Sequence, residues 1–580
     1  MTINVSKKIS LSFFLIPGNF WILLMLWRQT FSVNNSRVIS LFDDALISMS
    51  YAKTFIQTGN LVWFPGAEKV QGITNPLWTI ILSGFHLISE NLQIVILLVI
   101  FLNLLIINLV AVLVYKLLEK LLPNHPYKQH IMLGVAASIP FQYSYVYWTI
   151  RGLEVGFLSL ILLLTLFLAF KSEKITFKNH VLISILGCLG IATRFDYFLF
   201  HFLITCFLIH RSYFVFKKDS NKLFNIGLLL PTFFCVFAII AWQKIYYGHF
   251  LPNTYYLKVV GYNKQDVVIR GLYSVLKSFL TPVVFLFIIT IMMKKRTNSK
   301  KARDFFNLSS TIFLSVICYA IYVGGDAWEA FGKTNRFISV AQPLYIILLG
   351  FGISLFLSDK LQLKIYNQWA IAAVLISTLG YGIRLNPLRY SFAFALAVFL
   401  VISIFFYILL KTRLNQKVLP LIFIICILSS NTLSIASWIL SGAKDGMDAS
   451  DRYNYQVAID INSILKQNGK AAVLYAGSPI YFSDRGGVDL LGKNDTYVAR
   501  QKPNFTDYVG EWNSTFYPGH NKWNFEHSIG KLKPDLIAQF WGQTKIAEFG
   551  YAKFCLINSD RQYYLNPASD KVNWPNVTEC

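Results

Sequence analysis

The sequence predicts an α-helical protein that crosses a membrane about 13 times and carries a small C-terminal α/β domain outside the cytoplasm. Three observations carry this reading. Of 580 residues, 55% are apolar and only 14% charged, with mean hydropathy +0.50, whereas soluble domains carry about a quarter charged residues. Runs such as Leu92–Val114, Phe224–Trp242 and Ser391–Leu410 approach or exceed the roughly 20 apolar residues that cross a bilayer core. The net charge of +24 sits in short loops between such runs, while residues 443–580 hold 15 Lys/Arg against 15 Asp/Glu.

The first element is the N-terminal span. Lys7 and Lys8 precede an apolar segment from Leu11 to about Trp27 with no small-x-small cleavage site, so an uncleaved first span is expected rather than a secretory signal. Basic clusters come next at Lys171, Lys174 and Lys178, at Arg211, Lys217, Lys218 and Lys222, at 294–303, and at Lys411, Arg413 and Lys417. Short basic loops stay in the cytoplasm because translocating them is unfavourable. That explains the basic balance without nucleic acid, for which the loops are too short and lack interleaved aromatics.

Holding those loops inside gives spans at 11–29, 92–115, 131–148, 154–170, 178–192, 196–210, 224–245, 272–293, 305–323, 338–357, 363–382, 388–410 and 417–440. The N-terminus is then inside and the tail outside, provided Pro76–Ser89 lies at the interface as a helix too short for an easy crossing. Residues 1–442 form the membrane domain and 443–580 the outside domain. The outside face holds residues 30–90, the Trp148–Glu154 turn, 246–271, Gly324–Arg336 and the tail. In the tail, Val457, Ile461, Ile464 and Leu465 make a helical stripe that stops at Asn468-Gly469, and Ala471–Ala476 reads as a buried strand. Five of the seven cysteines lie in apolar spans, where a thiol packs as a small hydrophobe. Cys555 and Cys580 are open to either pairing or free thiols. No Cys/His cluster marks a metal site.

The first outside loop reads Phe42-Asp43-Asp44-Ala45, with Ala45, Met49, Ala52 and Ile56 on one helical face and Gly59 as the stop. An Asp at a helix start caps free N–H groups, and it also stays ionised, as a base must. Both roles are open here, since one Asp suffices as the cap. Pro65-Gly66 is a turn, and Asn75-Pro76 starts the interfacial helix.

From Asp43-Asp44-Ala45 through Ile47-Ser48, Tyr51-Ala52 and Thr74-Asn75-Pro76-Leu77-Trp78, the loop resembles the first periplasmic loop of GT-C glycosyltransferases. The resemblance is to the mycobacterial terminal arabinofuranosyltransferases and their bacterial homologues. Gly152-Leu153-Glu154, Thr193-Arg194-Phe195-Asp196, Pro252-Asn253-Thr254, Gly324-Gly325-Asp326 through Arg336-Phe337, Val488–Gly492, Pro518-Gly519-His520 and Lys533-Pro534-Asp535 succeed it in family order. Phe195 stands where the family has proline, and residues 260–320 show nothing diagnostic.

The resemblance implies an inverting glycosyltransferase in a bacterial inner membrane, working on the periplasmic side. Its partners would be a polyprenyl-phosphate sugar donor, a cell-envelope glycan or glycolipid acceptor and the bilayer, with no nucleic acid. A phosphate leaving group needs no protonation, so one carboxylate can act as general base, while cations offset charge on the departing phosphate. Asp44 and Asp43 are the candidate bases, Asp44 favoured. Arg336, Lys258, Lys333 and Arg194 are the candidate phosphate-binding cations. Lys333 and Arg336 could instead anchor a span, and Lys258 could belong with Tyr255 to an aromatic belt.

Arg194 also has Asp196 two residues away for a local ion pair. Glu154, Asp326, Tyr255 and His520 are expected to support the acceptor, against the alternatives of a cap for Glu154, a turn for Asp326 and a surface role for His520. The reading requires no cofactor and leaves a divalent cation open. The competing class is a transporter or flippase for lipid-linked sugars, which predicts internal repeats and mid-span charges. The charges here cluster at span ends and in outside loops.

Overall fold

A computed structural model describes residues 11–124, 128–171, 176–215, 230–276, 299–331, 335–358, 449–505, 516–541, 545–557 and 559–580. The expected spans at 363–382, 388–410 and 417–440, most of the one at 272–293, and Lys333 lie outside the described residues.

The chain enters through α1 (Leu11–Gln29) and a two-stranded hairpin, β1 (Phe31–Val33) and β2 (Ser36–Val38). Asn34 and Asn35 form its turn at φ 48 and 62, the left-handed geometry that asparagine tolerates in tight hairpins. Helices α2 (Asp43–Thr58), α3 (Pro76–Ile88), α4 (Leu92–Leu121), α5 (Lys128–Ala137), α6 (Tyr143–Ile150), α7 (Val155–Ala169), α8 (Phe177–Thr193), α9 (Phe198–Val215) and α10 (Leu230–Tyr247) come after it. Then come α11 (Asn253–Val259), α12 (Lys300–Tyr322), α13 (Arg336–Ser339) and α14 (Gln342–Ser358).

Among the described residues, α1, α4, α10 and α12 are long and apolar enough to cross a membrane. At 30 residues, α4 spans about 45 Å, more than a bilayer core. It buries Val95, Val99, Ile106, Val110 and Val114, yet leaves Leu97 and Phe101 exposed. An apolar surface on both faces suits a helix with protein on one side and lipid on the other. The expected span 131–148 is broken by the turn Ile139–Phe141, because Pro140 has no N–H to continue the helix. Beyond that turn the chain forms α6, of eight residues, and bends by 118° into α7. Helix α3 has 13 residues and packs against α2, α4 and α8.

The tail begins with α15 (Ala449–Ile464), and α16 (Ser478–Ser483) lies between β3 (Lys470–Val473) and β4 (Gly486–Asp489). With β5 (Leu536–Ile537), β6 (Ala552–Leu556), β7 (Gln562–Leu565) and β8 (Val577–Glu579) they form a sheet of order β4-β3-β5-β7-β6-β8. The first two pairings are parallel and the other three antiparallel. Cys555 and Cys580 are joined as a disulfide, their Cα atoms 5.1 Å apart.

One hydrophobic cluster holds Ile47, Tyr51, Leu61, Trp63 and Ile73 of the first loop together with Val457, Ile461, Val473 and Ala476 of the tail. Trp63 Nε1 donates to the Ala476 carbonyl at 3.0 Å, and Lys53 pairs with Asp484 at 2.7 Å. The first loop and the tail therefore lie on one side of the membrane domain.

Candidate active site

The two aspartates that open α2 do not cap it. Phe42 occupies the N-cap position, and no side-chain cap hydrogen bond forms there among the described residues. Of the two roles left open for these residues, the cap of their own helix is not formed. Both carboxylates reach across to the tail instead.

Asp43 caps another helix. Its Oδ1 accepts the Ser478 N–H at 2.7 Å and its Oδ2 the Gly477 N–H at 3.3 Å, at the start of α16. Gly477 packs so close to the Asp43 carbonyl that a Cβ there would collide with it. Burial pushes the Asp43 carboxyl up to about 7, despite opposition from the Lys493 ammonium and the two amides.

Asp44 sits between cations. Its Oδ2 accepts from Arg336 Nη1 at 2.7 Å, and its Oδ1 accepts from Lys493 Nζ. Its side chain is 13% exposed. Burial favours the neutral form, but Lys493, Arg336 and Lys258 together outweigh it and hold this carboxyl well below the usual carboxylate range. Arg336 Nε continues the chain to Asp326 Oδ2 at 3.1 Å. The Gly324-Gly325 turn, at φ 80 and 77, brings the fully buried Asp326 there. Asp326 Oδ1 is buried with no hydrogen-bond partner among the described residues.

Lys258, on α11, lies within electrostatic reach of Asp44, Arg336, Lys493 and Asp326. It has no hydrogen bond or ion pair to a described residue. Burial, then repulsion from Arg336, pushes its ammonium down to about 7. Lys493 shifts the other way, because the Asp44 and Asp43 carboxylates outweigh its burial. The result is an ionised carboxylate inside a ring of three cations, one of them unpaired among the described residues. Such a ring can receive a further anion.

Arg194 and Glu154 belong to a separate buried network. Ser48 Oγ donates to Asn75 Oδ1 at 2.9 Å, Asn75 Nδ2 to Glu154 Oε2 at 2.8 Å, and Arg194 Nη1 to Glu154 Oε1 at 3.1 Å. Arg194 closes the line on Asp196 through Nε at 2.9 Å and Nη2 at 2.5 Å. With two carboxylates bound, Arg194 is committed to joining α2, α3, α7 and α8. Glu154 stands at the N-cap position of α7, but its side chain makes no cap bond.

Tyr255 is exposed, and its described ring contact is with Tyr256 at 5.8 Å. His520 is drawn into the site. Burial, then the Lys493 charge, pushes it down to about 3, so it is neutral. Its Nδ1 lies 2.9 Å from the Pro518 carbonyl. A carbonyl only accepts, so Nδ1 carries the proton and Nε2 keeps a free lone pair.

Sequence reasoning missed Lys493 and the residues that hold it. Asp489 accepts from the Leu491, Gly492 and Asn494 N–H groups, shaping the loop. Asn253 Nδ2 then grips the carbonyls of Gly492, Lys493 and Asp495 at 2.9, 3.0 and 3.1 Å. Lys522 Nζ bonds the carbonyls of Tyr256, Val260 and Ala499, tying α11 to the tail. The available signal was a lysine immediately after the Val488–Gly492 motif. Among the described residues no group of three or more His, Cys, Asp or Glu side chains is arranged to hold a metal ion. Asp44 and Asp326, both held by Arg336, do not form such a set.

No family model matches the chain, and a search of curated proteins finds no match. Among solved structures, the chain is similar to ArnT from Cupriavidus metallidurans bound to undecaprenyl phosphate. Identity is 11% and the TM-score 0.53, over 82% of this chain and 85% of that one. The Archaeoglobus fulgidus oligosaccharyltransferase AglB, in complex with an inhibitory peptide and a dolichol-phosphate, also matches. It does so at 12% identity and TM-score 0.48, over 97% of this chain and 75% of that one. The likeness to ArnT shows a shared fold.

Proposed function

We propose that this chain is a membrane glycosyltransferase that moves a sugar from a polyprenyl-phosphate donor to a hydroxyl of a cell-envelope glycan or glycolipid. The observation that carries the proposal is the Asp44 carboxylate held between Lys493 and Arg336, with Lys258 beside it and unpaired among the described residues. The shared fold supports it, since the ArnT structure holds undecaprenyl phosphate.

In this reading the donor phosphate takes over the cations that pair with Asp44. Lys258, having no described partner to give up, binds it first, and Lys493 and Arg336 then turn from Asp44 toward the phosphate oxygens. Losing two counter-charges raises the Asp44 proton affinity at the moment a base is needed. The acceptor hydroxyl gives its proton to Asp44, and its oxygen bonds to the anomeric carbon from the face opposite the phosphate. The bond from that carbon to the phosphate oxygen breaks with its electron pair, so the configuration inverts. Polyprenyl phosphate leaves with its charge met by the three cations. Asp43 stays on the α16 amides and holds the loop against the tail.

The disulfide supports placing the tail in an oxidising, non-cytoplasmic compartment. Helix α3 supports a groove for the prenyl chain through Ile80, Leu87 and Ile88, which are exposed. Trp78 cannot line that groove, because it is fully buried and donates to the Gly152 carbonyl at 2.9 Å.

The test is a mass profile of envelope glycans from cells that carry the native chain or the Asp44→Asn chain. One glycan should lose a single sugar residue in the variant. Identical profiles, with both chains present at equal levels in the membrane, would overturn the proposal.

A further inference from the structure

Aromatic rings line up from the catalytic loop to the outer surface of the tail. Phe42, which precedes the aspartates, meets Trp328 edge-on at 4.8 Å, and Trp328 meets His520 edge-on at 6.2 Å. His520 stacks on Tyr517 at 4.3 Å and 24°, and lies 6.4 Å from Trp541. Trp541 in turn lies parallel to Trp523 at 6.0 Å and 21°. Burial falls along the line. Phe42, Trp328 and Tyr517 are buried, His520, Trp523 and Trp541 are partly exposed, and the neighbouring Phe540 is 42% exposed.

Two features separate this row from ordinary core packing. Its outer members Trp523 and Trp541 are partly exposed, although Trp541 also packs against the main hydrophobic cluster, and Asn524 and Phe540 beside them reach the surface as well. It also carries one free acceptor, His520 Nε2, which no described residue occupies, within electrostatic reach of Asp44, Lys258 and Lys493. A prenyl chain would require continuous apolar walls. A pyranose ring presents the reverse pattern, with weakly positive C–H groups on its faces and hydroxyls at its rim. The C–H faces match the electron-rich faces of indoles, and a rim hydroxyl matches a lone acceptor nitrogen.

Building on the glycosyltransferase reading, we propose that Trp541 and Trp523, backed by Trp328, form a carbohydrate subsite for the acceptor. A pyranose ring stacks on the indoles, one hydroxyl donates to His520 Nε2, and a neighbouring hydroxyl faces Asp44. The acceptor is thus a glycan, recognised through its ring faces rather than through charge.

The test uses the full chain in lipid nanodiscs and saturation-transfer NMR with three soluble probes: maltotriose, cellotriose and chitotriose. A serine-containing tripeptide is the fourth probe. At least one trisaccharide should receive saturation on the C–H protons of one ring. Its affinity should fall about tenfold in Trp541→Ala and largely return in Trp541→Phe. Trp523→Ala, made in parallel, should weaken it as well, which keeps the test informative if one variant fails to fold. The inference is overturned if no trisaccharide is saturated, if both alanine variants bind like the native chain, or if the tripeptide alone binds.

Undecaprenyl phosphate binding, measured on the same nanodiscs, separates the two readings. It should be unchanged in Trp541→Ala. Its absence from the native chain would count against the lipid-phosphate reading while leaving the saccharide result to stand by itself.

Discussion

At the scale of single residues, the proposed chemistry turns on Asp44 and Lys258. Replacing Asp44 with Asn keeps the shape but removes the basicity, so turnover should fall roughly 10²–10⁴-fold. The same change releases Lys493 and Arg336 from their counter-charge, so undecaprenyl phosphate should bind Asp44→Asn more tightly than the native chain. Equal or weaker binding, measured by titration in nanodiscs, would show that Asp44 does not hold the place of the phosphate. Of the groups around Asp44, Lys258 and Asp43 titrate near neutrality and set the site's share of the pH dependence. Lys258, pushed down to about 7, is a cation mainly below that pH, and Asp43, pushed up to about 7, is an anion mainly above it. Three cations therefore face Asp44 and Asp326 below pH 7, whereas two cations face three carboxylates above it. Affinity for undecaprenyl phosphate should weaken as pH rises from 6 to 8.5, by up to about tenfold per unit for each proton involved. Lys258→Gln should flatten that fall. Parallel profiles for the two proteins would remove Lys258 from the phosphate site.

Among the elements, the loop 492–495 is the one whose placement matters most, because it delivers Lys493. Asn253 holds it by three carbonyls, so Asn253→Asp, which is nearly isosteric but cannot donate, should raise the donor KM several-fold with a smaller change in kcat. Thermal melting of the same protein reports any general loss of packing. An unchanged KM would mean that the loop is held by Asp489 alone. Much of the architecture at this scale was legible in the sequence. Gly59 ends α2 at φ 73, α3 starts at Pro76, and α15 runs into β3 as the apolar stripe and the Asn468-Gly469 stop foretold. The missed features are tertiary. A carboxylate at a helix start reads locally as a cap, and nothing near Asp43 or Asp44 says that Ser478 and Lys493, their partners in the tail, lie more than 400 residues away. Arg194 reads as a cation with Asp196 for a local ion pair, and nothing nearby shows that Glu154 joins them from another helix. Trp78 reads as one face of an interfacial helix until the turn at Gly152 supplies a carbonyl for its indole.

Across the whole molecule, the reading requires the membrane domain and the tail to build one site. Asp44 comes from the first loop, Arg336 from the segment before α14, Lys258 from α11, and Lys493 and His520 from the tail. A cysteine at Asn60 and another at Lys502, both exposed, should therefore be labelled together by an impermeant reagent on intact spheroplasts, in a background stripped of free cysteines. Labelling of one only after permeabilisation would contradict the shared face. The most direct test of glycosyl transfer is release of the carrier. Purified chain in nanodiscs would be given an envelope lipid extract that holds native polyprenyl-phosphate sugars together with envelope glycans, and free polyprenyl phosphate would be tracked by mass spectrometry. The account predicts that it accumulates with the native chain, in step with a glycan gaining one sugar, and that Asp44→Asn binds the carrier but releases almost none. Carrier release at the same rate from the native and Asp44→Asn proteins, or none from a native chain that binds the lipid, would contradict it.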